Sequence, residues 1–400
     1  MKIAFLTIAY RVDPNDSNLY TDLFDEIASR GHDVTVFCSD ESRSSGTPIE
    51  SFRGKVRIVQ IPTGRITKTN RLTKAINTVF LERRFINAIK KSAHRGFDLL
   101  IYSTPPITFE KVIRFLRERD HCATYLLLKD IFPQNAVDIG LIKERGYIYK
   151  RLRNKEKGLY AVSDRIGCMS QANVKYLLAH NPEISQEKVH VNPNSIRPTP
   201  ADSIQPNKEL LREYGIPKSS LKLIYGGNLG KPQGIDFILD VLKALSSQKD
   251  VFTLIVGDGT EYNKIAHFLE VEKISNARLV KSSPKDQYLA LLRTMDVGLI
   301  FLDHRFTIPN FPSRLLDYLD ASLPVIAAVD SATDIGKIIY QSGTGLYCES
   351  DDVIAFLQCV DKMKSENLRI SCGKAAKQML FRDFHVSRSV NTILLTKIAK

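Results

Sequence analysis

The stretch Ile3–Cys38, IAFLTIAYRVDPNDSNLYTDLFDEIASRGHDVTVFC, contains the pattern that decides the fold. Its first residues, Ile3–Ile8, form a continuous apolar run that is typical of a strand buried on both faces. After a polar loop, apolar residues recur at helical spacing over Leu19–Ile27, and a glycine follows where the helix should end. Val34–Cys38 then predicts a second strand. The stretch therefore predicts a strand–helix–strand unit with parallel strands.

The same alternation continues along the chain. Further strands are predicted at Val56–Ile61, Leu99–Tyr102, Ala123–Lys129, Arg165–Met169 and Lys188–Val191, with helices at Asn77–Ala93, Ile107–Arg119 and Tyr147–Val162. The segment Pro193–Lys208 contains four prolines and few apolar residues, which is typical of a linker between domains. Alternating strands and helices predict the α/β class with parallel sheets that helices cover on both faces.

After the linker the alternation restarts. Strands are predicted at Leu221–Tyr225, Val251–Val256, Ala277–Leu279, Val297–Phe301 and Pro324–Ala328, with helices at Ile235–Leu245, Tyr262–Leu269, Gln287–Met295 and Arg314–Asp320 and a long helical tail. We therefore expect two doubly wound domains, at residues 1–197 and 198–383. A C-terminal helix at 384–400 is expected to pack back on the first domain. In such folds, ligands bind at the carboxyl ends of the strands.

Composition excludes several classes of protein. The 400 residues are 43% hydrophobic and 25% charged, which is ordinary for a globular protein and unlike a disordered chain. No apolar stretch approaches the roughly 20 residues that span a bilayer. The six cysteines show no paired spacing, so we expect reduced thiols in a cytoplasmic protein.

The net charge of +13 is concentrated in one segment. Between Arg53 and Arg95 there are twelve lysines and arginines and one acid, Glu82. A basic surface of this kind indicates a polyanionic partner, either an anionic membrane or a nucleic acid. It also fits the solvated face of a helix that packs on the core. The scarcity of aromatic residues among the cations disfavours nucleic acid. We expect a membrane-surface patch made of Arg71, Lys74, Arg83, Arg84, Lys90 and Lys91, with Tyr10, Phe80 and Phe85 as candidates for apolar insertion.

A glycine-rich turn is the first candidate site. In Ile224–Asp236, IYGGNLGKPQGID, a buried strand runs into Gly227, Asn228 and Gly230, and a helix follows. Glycines allow backbone N–H groups to approach an anion, and Lys231 would add a point charge for phosphate. A plain tight turn explains the same spacing.

A second candidate lies in Asn310–Ala328, NFPSRLLDYLDASLPVIAA. Pro312 suits the first turn of a helix, and Ser313 and Asp317 share one face of it. Arg314 stands near the helix N-terminus, where a cation is disfavoured unless an anion is present. This helix end therefore suits phosphates, with Asp317 as an acceptor of ribose hydroxyls. A solvated helix residue is the alternative for Asp317.

Two further stretches place polar residues at strand ends. Leu254–Thr260, LIVGDGT, contains Gly257 and Asp258 in a turn after a strand, and a structural turn explains it equally well. Lys129–Gly140, KDIFPQNAVDIG, contains Asp130, which we expect to point into the cleft between the domains. A capping carboxylate before a turn is the alternative interpretation of Asp130.

Taken in this order, the motifs resemble the nucleotide-sugar glycosyltransferases of the GT-B fold, in which two Rossmann-like domains face each other across a cleft. Within that family they are most similar to the bacterial family-4 group that builds O-antigen, capsule and exopolysaccharide in lipopolysaccharide and related biosynthesis. The resemblance covers essentially the whole chain and includes the IAFLTIAY start, the GHDVTVF strand and the VNPNSI run before the linker.

The resemblance implies a role for each matching position. The glycine-rich turn, Lys231 and Arg314 would bind the diphosphate, and Asp317 the ribose. Thr307–Ser313 would lie along the donor sugar and Val280–Ser283 would border the base. The implied nucleotide-sugar-binding residues are Gly227, Asn228, Gly230, Lys231, Gly257, Asp258, Ser282, Asn310, Phe311, Pro312, Ser313, Arg314 and Asp317. The implied catalytic residues are Asp130, Lys231 and Arg314.

The sequence departs from the family pattern at three places. Asn228 and Gln233 stand where the family usually has an arginine and a lysine. Pro309 or Asn310 replaces the first glutamate of its two-glutamate signature. Asp317 replaces the second glutamate and is one methylene shorter.

The resemblance implies transfer of a sugar from a nucleoside diphosphate sugar, with UDP expected, to a lipid-linked or saccharide acceptor. It implies retention of configuration and no metal, and the chain contains no Asp-x-Asp pair. The expected partners are the donor, a lipid-linked oligosaccharide and an anionic membrane, with the enzyme peripheral at the inner face of the cell membrane. Two alternatives stay open: a nucleotide-sugar epimerase of the same fold, and a basic lipid- or nucleic-acid-binding protein.

Overall fold

The computed structural model describes residues 1–13, 16–66, 71–200 and 203–395. The chain forms two compact units. The first comprises Met1–Ile196 and the segment from Val386 onward, and the second comprises Arg197–His385. Over the described residues, no helix combines the length and the apolar character needed to cross a membrane.

The first unit is built on an eight-stranded sheet. Its strands are β1 (Lys2–Thr7), β2 (Asp33–Asp40), β3 (Ile49–Arg53), β4 (Val56–Pro62), β5 (Leu99–Ser103), β6 (Ala123–Leu128), β7 (Arg165–Cys168) and β8 (Val189–Val191), in the order β3-β4-β2-β1-β5-β6-β7-β8. All neighbours pair in parallel except β3, which runs antiparallel to β4. The sequence analysis missed β3, because this edge strand is largely exposed and lacks an apolar run.

Six helices of the first unit precede the linker: α1 (Leu19–Ser29), α2 (Arg71–Lys91), α3 (Glu110–Asp120), α4 (Gln134–Asp138), α5 (Tyr147–Ala161) and α6 (Gln171–His180). Asn18 and Thr21 form a capping box at the start of α1. Helix α2 begins six residues before the predicted Asn77, and α4 and α6 were not predicted. Because parallel strands need crossover helices, each helix between them begins at the carboxyl edge of the sheet.

The second unit has a six-stranded, all-parallel sheet. Its strands are β9 (Leu221–Asn228), β10 (Val251–Asp258), β11 (Ala277–Val280), β12 (Val297–Phe301), β13 (Val325–Val329) and β14 (Gly345–Glu349), in the order β11-β10-β9-β12-β13-β14. The strand order reverses between β9 and β12, and this switch point is where such sheets bind ligands. Residues on both faces of the sheet are buried, and those of one face form a continuous apolar cluster with the helices that cover it.

The helices of the second unit are α7 (Glu209–Glu213), α8 (Ile235–Leu245), α9 (Tyr262–Val271), α10 (Lys285–Leu292), α11 (Arg314–Asp320), α12 (Ile335–Gln341), α13 (Val353–Met363) and α14 (Glu366–Asp383). The last helix, α15 (Val386–Leu395), belongs to the first unit and packs on α1, where Arg30 donates to Asn391 at 2.5 Å. The prediction of one long helical tail was wrong, because α12 and β14 precede three separate helices.

Candidate active site

The glycine-rich turn lies at the switch point of the second sheet. Strand β9 continues to Asn228, three residues past its predicted end, so Gly226 and Gly227 belong to the strand terminus. Gly227 has a φ of +126°, which favours glycine, and a Cβ there would lie 3.5 Å from the Arg314 guanidinium carbon. The sequence-predicted turn and Arg314 are therefore direct neighbours.

Arg314, the first residue of α11, is held against an aromatic ring. Its guanidinium lies 4.2 Å from the ring centroid of Tyr225 on β9. Its Nη1 is buried and has no hydrogen-bond partner among the described residues. A buried donor without a partner is costly, and a cation at a helix N-terminus opposes the helix dipole. Both costs are removed when an anion binds beside Arg314.

Two more tyrosines complete the surroundings of Arg314. The Tyr318 hydroxyl accepts a hydrogen bond from the Gly226 N–H at 3.1 Å and donates to the Leu299 carbonyl at 3.0 Å. Tyr288 packs directly on Gly226, where a Cβ would lie 1.7 Å from its hydroxyl oxygen. Sequence reasoning missed all three tyrosines, because nothing in their spacing signals that distant segments bring them together.

Asp317 follows Arg314 by one turn of α11 and is half-buried. Its carboxylate has no hydrogen-bond or ion-pair partner in the part of the chain that the structure describes. Burial raises the pKa of this carboxyl to about 6, an effect that the nearby Lys285 opposes. A sheltered carboxylate with no donor of its own is suited to accept hydroxyl groups from a ligand.

A small polar cluster lies at the ends of β10 and β11. Asp258 accepts hydrogen bonds from the Ser282 hydroxyl and lies 3.1 Å from the Lys281 ammonium. These hydrogen bonds hold the pKa of the Asp258 carboxyl below its usual value. Gly257 lets β10 approach the glycine turn, since a Cβ there would lie 2.0 Å from the Gly227 carbonyl oxygen. The structure thus brings Gly257, Asp258 and Ser282 to one edge.

The segment before α11 leaves a second donor without a partner. The Nδ2 of Asn310 is buried and has no hydrogen-bond partner among the described residues. The backbone carbonyl of Asn310 accepts a hydrogen bond from the Thr333 hydroxyl at 2.6 Å. Phe311 lies 5.8 Å from Phe384, ring centroid to ring centroid. Ser313 occupies the N-cap position but makes no capping hydrogen bond, and Pro312 precedes this cap instead of lying in the first turn.

Lys231 and Gln233 differ sharply in what they do. Lys231 is exposed and has no hydrogen bond or ion pair within the described residues. With its amide nitrogen turned inward, Gln233 donates to the carbonyls of Asn228 and Gly230, both at 3.1 Å. Gln233 therefore closes the turn, and Lys231 leaves a free charge beside it.

Asp130 lies in the first unit, directly after β6 at the carboxyl edge of that sheet. Its backbone is tied to Thr104, whose hydroxyl accepts from the Asp130 N–H at 3.2 Å. The residue as a whole is exposed, but the surrounding protein desolvates its carboxyl, and this desolvation raises the pKa of the carboxyl to about 6. The neighbouring Lys129 is half-buried, and burial lowers the pKa of its amine to about 7.

The basic patch differs from its prediction. Arg83, Lys90 and Lys91 are exposed on α2, but Arg84 is half-buried and donates to the Thr63 carbonyl and to Asn77 Oδ1.

The apolar side of the patch is also corrected. Phe85 is fully buried in the core and Tyr10 is half-buried with an enclosed hydroxyl, so neither can insert into a membrane, whereas Phe80 is exposed. The side chains of Arg71 and Lys74 lie outside the described residues.

Within residues 1–13, 16–66, 71–200 and 203–395, no three His, Cys, Asp or Glu side chains are grouped so as to hold a metal ion.

Comparisons with known proteins agree with this architecture. Residues 17–199 match the family model described as Glycosyltransferase Family 4, and residues 206–379 match Glycosyl transferases group 1. The chain is similar to the probable glycosyltransferase WbjE of Pseudomonas aeruginosa, with 23% identity over 80% of this chain and 79% of that protein. It is 24% identical to N-acetyl-alpha-D-glucosaminyl L-malate synthase of Bacillus anthracis over 46% of each chain.

Solved structures share the fold. Sucrose-phosphate synthase from Thermosynechococcus elongatus has a TM-score of 0.76 at 16% identity over 98% of this chain and 97% of that one. WaaG, a glycosyltransferase involved in lipopolysaccharide biosynthesis, has a TM-score of 0.67 at 16% identity over 98% and 99%. The two halves of the chain thus belong to the family-4 and group-1 glycosyltransferase families, and the protein is a glycosyltransferase of the GT-B fold.

Proposed function

We propose that this enzyme transfers a hexose from a UDP-sugar to a hydroxyl of a lipid-linked or saccharide acceptor in bacterial surface polysaccharide biosynthesis. The observation that carries the donor assignment is the buried, unpartnered Arg314 Nη1 beside the glycine turn. Similar proteins support it. One solved trehalose-6-phosphate structure of Escherichia coli holds UDP-2-fluoro glucose, with a TM-score of 0.78 at 10% identity over 100% of this chain and 99% of that one. WaaG, which is involved in lipopolysaccharide biosynthesis, supports the polysaccharide assignment by analogy.

The proposed chemistry stabilises a departing diphosphate. The bond between the anomeric carbon and the diphosphate oxygen breaks, and negative charge grows on the leaving group. Arg314, Lys231 and the N–H groups of the glycine turn are placed before the reaction begins, so they stabilise this charge without reorganising. Asp317 binds the ribose hydroxyls, and Asn310 Nδ2 donates to the donor sugar. Because these groups supply the positive charge, we propose that no metal ion is required.

Asp130 is proposed to act on the acceptor side. The pKa of this carboxyl is about 6, which is close to neutral pH, and a general base works best when its pKa lies near the working pH. Asp130 can therefore orient the acceptor hydroxyl or accept its proton. The new bond forms between the acceptor oxygen and the anomeric carbon. We propose retention of configuration, supported by the similar structure of a trehalose-6-phosphate synthase, a case of enzymatic glycosyl transfer with retention.

Thermal unfolding with UDP, GDP, ADP, dTDP and CMP, in the presence of EDTA, tests the donor site. A nucleotide at about 100 times its dissociation constant adds about 2.7 kcal/mol to the free energy of unfolding. We expect a shift with UDP that is lost in Arg314→Ala and Asp317→Ala and kept in Lys249→Ala, an exposed lysine before β10. Failure of every nucleotide to shift the transition would contradict the proposal.

We also propose that the enzyme works peripherally at the inner face of the cell membrane. This proposal is supported by three cations of α2 that are exposed to solvent and could contact lipid headgroups, Arg83, Lys90 and Lys91. Each cation near an anionic leaflet contributes about 1 kcal/mol of attraction, which salt screens. Binding to anionic vesicles should therefore weaken as the salt concentration rises, and binding that salt does not change would contradict an electrostatic contribution.

A further inference from the structure

Three large apolar side chains are exposed together around the start of α5. Leu141 is 58% exposed, Tyr147 79% and Ile148 62%. Single exposed apolar residues are ordinary, but three within eight positions form a patch that needs an explanation. We call Leu141, Tyr147 and Ile148 the apolar apex.

The backbone presents the apolar apex in a fixed position. The Ala136 carbonyl accepts hydrogen bonds from the N–H groups of both Leu141, at 2.8 Å, and Ile142, at 3.1 Å. The Tyr149 hydroxyl donates to Gln134 at 3.2 Å and so ties the start of α5 to α4. The apex is therefore held by defined contacts to the fold, which lowers the entropy lost when it meets a partner.

The first turns of α5 contribute little to the core. The buried residues of this helix are Glu156, Leu159 and Tyr160, all in its second half. Replacing Tyr147 or Ile148 by a polar residue would thus remove no buried contact. Packing within the unit therefore does not account for the apolar residues at this end of α5.

Positive charge surrounds the apolar apex. Lys143, Arg145, Lys150 and Arg151 are exposed, and Glu144 is the single acid between Leu141 and Arg151. Glu144 lies 3.8 Å from Arg145, and both side chains are largely exposed. Apolar and aromatic side chains ringed by lysines and arginines match the boundary between headgroups and acyl chains in an anionic membrane.

Helix α5, which carries two of the three apex residues in its first turn, neighbours the basic helix α2. Lys155 on α5 lies 3.6 Å from Glu82 on α2, so the two helices are neighbours. Val79 and Phe80 are exposed one turn before Glu82. Helix α4 follows β6 and Asp130 at the carboxyl edge of the first sheet, and the hydrogen bond from Tyr149 to Gln134 holds the start of α5 beside it.

We propose that the apolar apex inserts into an anionic phospholipid surface, with Lys143, Arg145, Lys150 and Arg151 on the headgroups. This inference rests on the proposed function, since a lipid-linked acceptor gives the docking its purpose. Charge complementarity favours a bilayer over a second copy of the chain, because two such cationic patches would repel each other. The docking site would then lie on the side of the first unit that carries Asp130, where a membrane-held acceptor would enter.

A single fluorophore tests insertion directly, because the chain contains no tryptophan. Tyr147→Trp reports the polarity around the apex, and Tyr340→Trp, at another exposed tyrosine in the second unit, is the matched control. With vesicles of about 30% anionic phospholipid, we expect a blue shift for Tyr147→Trp and none for Tyr340→Trp. No shift at the apex overturns the proposal. A shift that follows protein concentration without vesicles, or that duplex DNA produces, overturns it as well.

A second experiment removes the apolar side chains of the apex and measures how the protein partitions to the same vesicles. The triple variant Leu141→Ser, Tyr147→Ser, Ile148→Ser should lose at least about tenfold in partition to these vesicles. The matched triple Tyr340→Ser, Ile354→Ser, Ile370→Ser removes equally exposed apolar residues from the second unit and should partition like the wild type. Equal partition of both variants overturns the proposal.

The donor site separates this inference from the proposed function. UDP stabilisation of the apex variant should equal that of the wild type, because the apex and the donor residues lie in different units. If UDP fails to stabilise the wild type while vesicles still bind, the proposed function fails and the docking surface remains. If UDP stabilises both proteins and vesicles bind neither, the docking surface alone is wrong.

Discussion

The guanidinium of Arg314 lies 4.2 Å from the ring centroid of Tyr225, and a Cβ at Gly227 would lie 3.5 Å from the same guanidinium. Eighty-nine positions separate Arg314 from Tyr225 in the sequence. The contact between them fixes a cation at the first residue of α11, with one buried nitrogen left for a ligand. This pair therefore favours the proposed diphosphate site, because the cation is already in position before an anion binds.

Arg314→Lys should lower kcat/KM by about 100-fold while leaving the unfolding temperature within a few degrees. Lysine keeps the charge but lacks the planar fork that stacks on Tyr225 and donates twice. Steady-state kinetics with a UDP-sugar measures the loss, and Arg212→Lys, at an exposed arginine of α7, is the control. Full activity in Arg314→Lys would show that charge alone suffices.

Asp317→Asn should stabilise the free enzyme above pH 6 and weaken UDP binding. The pKa of this carboxyl is about 6 in the folded protein and 3.8 as its ordinary value. Between these two pH values the unfolded chain loses this proton more readily than the folded protein does, so the free energy of unfolding falls as pH rises from about 3.8 to about 6. Removing the charge should add on the order of 2 kcal/mol to the free energy of unfolding at pH 8, and less at pH 5.

Denaturant unfolding at both pH values measures this difference, and calorimetry with UDP measures the loss of binding. A variant that is destabilised equally at pH 5 and pH 8 would refute the assignment of a sheltered, unpaired carboxylate to Asp317.

Asp130→Asn should remove the acidic limb of the pH profile. In the wild type at saturating donor, the rate should fall below pH 6, because the carboxyl becomes protonated there. The variant should be slower by about 100-fold or more and should show no such limb. UDP stabilisation should be unchanged in the variant. If Asp130→Asn still loses activity below pH 6, the group that titrates there is not Asp130.

Gly226→Ala should cost about 2 kcal/mol of the free energy of unfolding, because the new Cβ would overlap the Tyr288 hydroxyl. Adding Tyr288→Ala removes the obstacle, so the double variant should lose less than the sum of the two single losses. Thermal or denaturant unfolding of the four proteins completes this cycle. Strictly additive losses would mean that the two residues do not meet.

Lys231→Ala should lower kcat/KM for the donor about tenfold and leave the free energy of unfolding unchanged, since the exposed ammonium has no partner within the described residues. Lys249→Ala, at the opposite edge of the same sheet, should change neither quantity. Loss of stability in Lys231→Ala would instead indicate a structural role in the turn.

Much of the architecture followed from the chain's local pattern. Buried strands such as Leu99–Ser103 form apolar runs, and turns after them carry glycine or proline, so two parallel α/β sheets could be predicted. Edge elements were harder: β3 and β14 are partly exposed and carry no continuous apolar run. The short α4 was missed for the same reason, since Ala136 is its single buried residue.

Local sequence was enough to predict a glycine-rich turn after β9 and to place Arg314 and Asp317 one turn apart, because both are properties of neighbouring residues. The folded structure was needed to show that Tyr225, Tyr288 and Tyr318 surround Arg314, that Arg84 binds Thr63 and Asn77, and that Phe85 is buried in the core. Those outcomes depend on which distant side chains meet in the packed core. Local periodicity places a residue on a face of its own element, but burial and partner come from the element packed against it.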